Sequence, residues 1–261
     1  MTSFVLGDIL IAKRLGIIMG RIRKLLDKYF YAPPRCLFCS DEKCDAGTPF
    51  CPECYPKYTS LVLEGCADCG AMPIDCSCVS ISGCAQYYRL FNYEDRAVRI
   101  MIYKLKRKLN RFAFRFLAAR LADMIALKTN GTLSFDCVAF VPREKKSRLY
   151  YGFDHAEKLA KSMAALLGVP CVKLLLNTGK GGEQKRLNRG YRGIAAKLRF
   201  AINQKALVDG RIPYKKILLI DDVVTTGASM GECAGLLKAH GAGLVIGASV
   251  AYTPIHGRTV F

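Results

Sequence analysis

The chain has 261 residues, of which 51% are hydrophobic, and it carries a formal net charge of +19 at pH 7. This length and composition predict a globular core in one large or two small domains. A membrane-spanning helix needs about 18 consecutive apolar residues, and no apolar run in the sequence approaches that length, which argues against a membrane span. The positive charge is concentrated in residues 87–216 and favours a polyanionic partner, although a solvated basic surface is the alternative.

Residues 1–32 are predicted to form a basic, amphipathic leader helix, because their apolar side chains recur at helical spacings. Pro33 and Pro34 end this pattern. Asp8, Lys13 and Arg14 interrupt the apolar residues, so a signal peptide is not indicated and a cytoplasmic location is expected. Contact of this helix with a membrane surface or a partner stays open.

Ten of the thirteen cysteines lie between positions 36 and 84, and eight of them form four closely spaced pairs. The pairs are Cys36 and Cys39, Cys51 and Cys54, Cys66 and Cys69, and Cys76 and Cys78. Such pairs present thiolates from tight knuckles and predict two structural zinc sites in a small double zinc-ribbon domain, residues 33–82. We expect consecutive pairs to share a site, and a cross-braced arrangement is the alternative. Cys44 and Cys84 are expected to be non-ligands, with Cys44 a possible substitute.

Residues 84–93 are strand-like and aromatic, and residues 94–128 carry apolar side chains at spacings of three and four. Asn110 is a candidate cap that divides this segment into two helices. The basic and aromatic side chains here suit single-stranded nucleic acid, whereas a solvated basic helix face is the simpler interpretation.

From residue 136 onwards strands and helices alternate, which predicts a mostly parallel sheet with flanking helices in residues 83–261. Strands are expected at 137–141, 169–176, 198–202, 217–220 and 244–250, and helices at 155–167 and 230–239. Asp154 is a candidate cap for the first of these helices, and Gly168 should end it.

The stretch 216–230 combines an apolar strand, two adjacent carboxylates and a loop of hydroxyl-bearing and small residues that opens a helix. Loop hydroxyls, backbone N–H groups and a helix dipole together form a phosphate cradle. Asp221 and Asp222 would repel a phosphate but suit the hydroxyl groups of a ribose. A ribose 5-phosphate is therefore the predicted ligand.

The sequence ILLIDDVVTTGAS in this stretch resembles the phosphoribosyl-pyrophosphate (PRPP) motif of type I phosphoribosyltransferases. Together with the cysteine pairs, the stretches PPRCLFC, IYKLKRK, FVPREKKSRLYYGFDHAEKLA and EQKRLNRGYR are similar to the ComF family of competence-associated, phosphoribosyltransferase-like proteins. The resemblance covers roughly residues 33 to 250 and implies a type I phosphoribosyltransferase-like fold preceded by a double zinc ribbon.

The resemblance also implies roles for individual residues. Asp221 and Asp222 would bind the ribose hydroxyls, and Asp222 is the only candidate for a catalytic base. Arg143 and Arg148 would face the pyrophosphate, and magnesium would arrive with PRPP. The residues that would bind the 5-phosphate are Thr225, Thr226, Gly227, Ala228 and Ser229. A mobile hood over the site would contain Gln184, Leu187 and Arg192. Asp154 and His155 stand where the family usually has Asn and Gln.

Two functions follow from the resemblance. The first is PRPP binding by a protein of DNA uptake in natural transformation, with single-stranded DNA and a competence helicase as partners. The alternative is an active phosphoribosyltransferase of nucleotide salvage with an unknown acceptor base. A PRPP-sensing regulator is a third possibility, but the sequence has no helix-turn-helix signal.

Overall fold

A computed structural model of the protein describes residues 35–40, 44, 47–66, 69–71, 76, 78–107, 110–144, 150, 152–179 and 199–254. Three sequence-based predictions lie outside these residues. They are the leader helix of residues 1–32, the pyrophosphate role of Arg148, and the hood residues Gln184, Leu187 and Arg192.

The described part of the chain contains five α-helices and six strands. The helices are α1 (Tyr55–Val62), α2 (Arg96–Arg107), α3 (Arg111–Lys128), α4 (His155–Leu167) and α5 (Ala228–Ala239). The strands are β1 (Gln86–Asn92), β2 (Cys137–Phe140), β3 (Leu175–Asn177), β4 (Phe200–Ile202), β5 (Lys216–Val224) and β6 (Leu244–Tyr252). None of these helices has the length and apolarity that crossing a bilayer requires.

Four strands form one sheet in the order β1-β6-β5-β2, and every neighbouring pair in it is parallel. The predicted α/β class with a mostly parallel sheet is therefore confirmed. Strands β3 and β4 form a separate antiparallel pair. Because β5 and β6 are central, their carboxyl ends define the edge at which sheets of this kind bind ligands.

Alternate residues of β5 point into two separate hydrophobic cores, one on each face of the sheet. Leu218 and Ile220 pack into the core that contains α2, α3 and α4, while Ile217 and Leu219 pack into the core that contains α5. Both faces of the strand are buried, which explains its uninterrupted apolar run. The first core also includes Cys36 and Cys51, so the cysteine-rich region shares it with the helices.

The predicted helix boundaries rest on local capping groups, and the structure confirms them. The Asn110 side chain accepts a hydrogen bond from the backbone N of Ala113 at 3.0 Å and separates α2 from α3. The Asp154 side chain caps α4 through the backbone N of Glu157 at 3.3 Å. Gly168 ends α4 with φ 69°, a left-handed conformation that favours glycine.

Two strand predictions were wrong: one strand is longer than expected, and another does not form as expected. The central strand was expected to end before the aspartates, but β5 runs to Val224 because its pairing with β6 continues past the acidic pair to Tyr252. The single strand predicted over residues 169–176 is not formed. Cys171 makes only an isolated bridge to Val138, and the chain then enters β3, which pairs with β4 instead.

Candidate functional site

The acidic pair lies within β5, near the carboxyl end of the strand, where Asp221 is opposite Ser249 of β6. Asp222 is 7% exposed, and Asp221 is partly buried. The Asp221 Oδ1 atom accepts a hydrogen bond from the backbone N of Asp222 at 2.8 Å. The two carboxylates are close enough to interact directly, and each affects the pKa of the other.

Two basic side chains converge on one oxygen of Asp222. The Arg143 Nη2 atom lies 2.5 Å from Asp222 Oδ2, and the Lys106 Nζ atom lies 3.5 Å from the same oxygen. Burial alone would raise the pKa of Asp222, but Lys106 and then Arg143 outweigh it and lower that pKa to about 2. Asp222 is therefore ionised at neutral pH.

Asp221 has the opposite character. Burial, followed by the negative charge of Asp222, raises the pKa of Asp221 well above its ordinary value. Adjacent carboxylates whose pKa values move apart can play different roles, one as a fixed charge and one as a group that exchanges a proton.

Arg143 is held in place by the helix that follows it. Its backbone N donates a hydrogen bond to Asp154 Oδ2 at 3.1 Å, while the other oxygen of Asp154 caps α4. His155, which is 1% exposed, lies next to this cap, and its Nε2 atom is 3.1 Å from the carbonyl oxygen of Lys106. Burial and then the charge of Arg143 lower the pKa of His155, which favours a neutral imidazole.

The loop between β5 and α5 is open to solvent at Thr225, Thr226 and Ala228. Gly227 has φ 76° and begins α5 as its N-cap. A Cβ atom at Gly227 would lie 3.2 Å from Ile81 Cγ1, so a side chain here would be crowded as well as strained. Two exposed hydroxyl-bearing residues thus precede a twelve-residue helix.

Two contacts attach β4 to the first turns of α5. The Arg199 Nη1 atom donates a hydrogen bond to Ser229 Oγ at 3.0 Å, and the backbone N of Phe200 donates to Glu232 Oε1 at 3.1 Å. Arg199 and Phe200 therefore lie beside the start of α5.

On its other side, α5 is crossed by the segment that links the cysteines to β1, residues 81–84. A Cβ atom at Gly231 would lie 3.2 Å from the carbonyl oxygen of Ser82, and one at Gly83 would lie 3.0 Å from Ala234 Cβ. The crossing chain can come this close to α5 only because Gly83, Gly227 and Gly231 have no side chains. We call residues 81–84 the crossing segment.

The eight predicted ligand cysteines form two groups, and consecutive pairs share a group. One group contains Cys36, Cys39, Cys51 and Cys54, and the other contains Cys66, Cys69, Cys76 and Cys78. The sulfur atoms of each group lie within 4.8 Å of one another, so each group can hold a metal ion. Neither Cys44 nor Cys84 belongs to a group.

The sulfur spacing agrees with tetrahedral coordination. Zinc–sulfur bonds of about 2.3 Å place the corners of a tetrahedron about 3.8 Å apart. The sulfur atoms of Cys39 and Cys51 are 3.7 Å apart, and those of Cys69 and Cys76 are 3.9 Å apart. Burial alone would raise the pKa of Cys36, but backbone N–H groups of the knuckle lower it to about 6, whereas burial raises the pKa of Cys51 and of Cys54 in the same group.

Each cysteine group is attached to the α/β core by a basic side chain. The Lys104 Nζ atom of α2 donates a hydrogen bond to the carbonyl oxygen of Phe38, which lies between two cysteines of the first group. The Arg89 Nη2 atom of β1 lies 3.0 Å from Cys66 Sγ and 3.5 Å from Cys76 Sγ. Hydrogen bonds of this kind orient metal ligands and stabilise their charge.

The structure brings Arg143 to the predicted acidic pair, and the loop from Thr225 to Ser229 begins two residues after that pair, where β5 ends. Sequence reasoning missed Lys106 and Arg89, and it treated Asp154 only as a helix cap. For Lys106 one signal existed, because it stands within the stretch IYKLKRK that resembles the family. For Arg89 no local signal existed.

No protein-family model and no curated protein matches this chain.

Proposed function

We propose that the chain binds PRPP at the carboxyl ends of β2 and β5, as a ComF-like protein with a type I phosphoribosyltransferase fold. The observation that carries this proposal is the succession of acidic pair, hydroxyl loop and helix start along the β5–α5 connection, with Arg143 in contact with Asp222. The aspartates suit the ribose hydroxyls, the loop suits the 5-phosphate, and Arg143 suits the pyrophosphate together with magnesium. The cysteine groups hold two structural zinc ions.

Calorimetric titration of the full chain with PRPP and magnesium tests this proposal. We expect saturable binding by the parent, and at least about tenfold weaker binding by the Asp221→Asn, Asp222→Asn double variant, because charged hydrogen bonds contribute about 1.5–3 kcal/mol each. Asp123→Asn is the matched control, since Asp123 pairs with Arg120 on the exposed surface of α3. Equal affinity in all three proteins would contradict the proposal.

The biological role we propose is DNA uptake in natural transformation, in the cytoplasm, with single-stranded DNA and a competence helicase as partners. An exposed basic face of α2 supports a nucleic-acid partner. Arg96, Arg99 and Arg107 are exposed there, and Tyr103 is 58% exposed with the Arg107 guanidinium 5.2 Å from its ring centre. Arginine beside an aromatic ring suits the backbone and bases of a single strand.

Fluorescence anisotropy with a labelled single strand at several salt concentrations tests the DNA contact. Binding should weaken as salt rises, with a log–log slope of about −0.7 per phosphate contact. Arg99→Glu should reduce both affinity and slope, and Lys161→Ala, a change on α4, should leave both unchanged. Binding that does not respond to salt would contradict the nucleic-acid role.

An active phosphoribosyltransferase is the second candidate, and the unequal pKa values of Asp221 and Asp222 favour it. Asp221, whose pKa is raised, can exchange a proton with an acceptor base, whereas the lowered pKa of Asp222, the candidate base from the sequence, makes that residue a weak base. Magnesium-dependent release of pyrophosphate from PRPP in the presence of a panel of bases tests this. If the double aspartate variant releases pyrophosphate as fast as the parent, the site does not catalyse the reaction.

A further inference from the structure

Lys106 lies in the last turn of α2, outside the β5–α5 connection, and yet its side chain reaches the acidic pair. Its Nζ atom is 3.5 Å from Asp222 Oδ2, and the side chain is only 21% exposed. Surface lysines seldom keep a buried position, because ordering a long side chain costs conformational entropy. The placement of Lys106 therefore needs a structural explanation.

The last turn of α2 is held from two directions. Lys104, two residues earlier in the helix, donates a hydrogen bond to the carbonyl oxygen of Phe38 in the first cysteine group. The carbonyl oxygen of Lys106 itself lies 3.1 Å from the buried ring of His155. The backbone around Lys106 is thus fixed by the first cysteine group on one side and by the start of α4 on the other.

Lys106 and Arg143 approach the same oxygen of Asp222 and have more donors than that oxygen can accept. A lysine ammonium has three N–H donors and a guanidinium has five, whereas Asp222 Oδ2 receives one contact from each side chain. The remaining donors of two neighbouring cations suit the several oxygens of an anion.

We propose that Lys106 binds the pyrophosphate group of PRPP together with Arg143, an inference that rests on the proposed PRPP function. Arg143 comes from the loop after β2 and Lys106 from α2, so the two cations reach the group from different elements. A lysine acts as a point charge with three donors, which complements the planar guanidinium of Arg143.

Calorimetric titration of the parent and of Lys106→Met with three separate ligands tests the inference. The ligands are PRPP with magnesium, inorganic pyrophosphate with magnesium, and ribose 5-phosphate. Loss of one charged contact should weaken PRPP and pyrophosphate binding by about 10- to 100-fold. Ribose 5-phosphate has no pyrophosphate group, and its affinity should change by less than about threefold.

Two further variants complete the design. Lys106→Arg keeps the positive charge and should recover most of the lost pyrophosphate affinity. Lys161→Met is the matched control, because Lys161 forms an exposed ion pair with Glu157 at 2.6 Å on α4, and it should bind all three ligands like the parent. Thermal melting of each variant shows whether the fold is intact.

The outcomes separate the inference from the proposed function. A parent that binds no PRPP overturns the proposed function and the inference with it. A parent that binds PRPP, with Lys106→Met equally tight for pyrophosphate, overturns the inference alone. Equal weakening of all three ligands also overturns it, because Lys106 would then act only through Asp222.

Discussion

Asp222 and Asp221 are adjacent in sequence and have opposite electrostatic environments. Lys106 and Arg143 stabilise the charge of Asp222, whereas Asp221 is next to that charge and has no basic partner of comparable contact among the described residues. A carboxyl group that the fold keeps in an unfavourable environment is typical of a functional site rather than of a stabilising one.

We expect Asp221→Asn to stabilise the protein at pH 7. A carboxyl with a higher pKa in the folded than in the unfolded protein destabilises the fold at pH values above its unfolded pKa. The gain from Asn should therefore be small below the ordinary value of 3.8 and should grow as the pH rises. A gain of about 1 kcal/mol in the free energy of unfolding would raise the melting temperature of a chain of this size by about 2–4 °C.

Melting curves between pH 4 and pH 8 measure this effect, with Asp123→Asn as the exposed control. Asp222→Asn should act in the opposite direction at pH 7, since it leaves Lys106 and Arg143 beside a neutral amide. An Asp221→Asn protein that melts below the parent across this range would contradict the assignment.

At the scale of elements, the β5–α5 connection depends on the crossing segment. Gly227 combines a positive φ with a neighbour, Ile81, whose Cγ1 atom would lie only 3.2 Å from a Cβ atom at this position. The crossing segment therefore forms one wall of the hydroxyl loop, although it precedes that loop by more than a hundred positions in the chain.

Gly227→Ala should lower the unfolding free energy by about 1–2 kcal/mol for the left-handed backbone, with an added cost from the contact with Ile81. It should also weaken PRPP binding, because the loop has to move. Gly210→Ala is the matched control, since Gly210 has φ 74° and open space around its Cα atom. That control should lose stability and keep ligand affinity; equal affinity in both variants would contradict the role of Gly227.

Local signals were enough to predict several elements. Asn110, Asp154 and Gly168 act on their own helix ends, so their roles can be derived from sequence alone. The cysteine spacing likewise predicted both groups. The prediction of one strand over residues 169–176 was wrong because β3 has only three residues and its direction is set by β4, a partner distant in sequence. Lys106 and Arg89 were missed for the same reason, since their contacts are tertiary.

At the scale of the whole molecule, the cysteine groups are part of the packing of the α/β core. Phe50, between the two pairs of the first group, stacks on Tyr58 with ring centres 4.6 Å apart, and both rings contact Phe116 of α3. The second group is hydrogen-bonded to Arg89 of β1. Loss of the metal ions should consequently affect the entire fold.

We expect about two zinc ions per chain by elemental analysis, and loss of the cooperative thermal transition when a strong chelator removes them. Arg89→Met should weaken the binding of one of the two ions about 10- to 100-fold, because a group that hydrogen-bonds to the ligands is removed. Arg99→Met, on the exposed face of α2, is the control. Unchanged melting after complete chelation would show that the metal ions do not support the fold.

The contact between Ile81 and Gly227 also determines how this protein can be dissected. A fragment that begins at β1 would retain every strand of the parallel sheet but would lose the side chain that packs against Gly227. In such a fragment the glycines of α5 would face solvent, and the loop would gain freedom that the intact chain does not have. Weak ligand binding by a truncated protein would therefore reflect the missing wall, and binding studies should use the entire polypeptide.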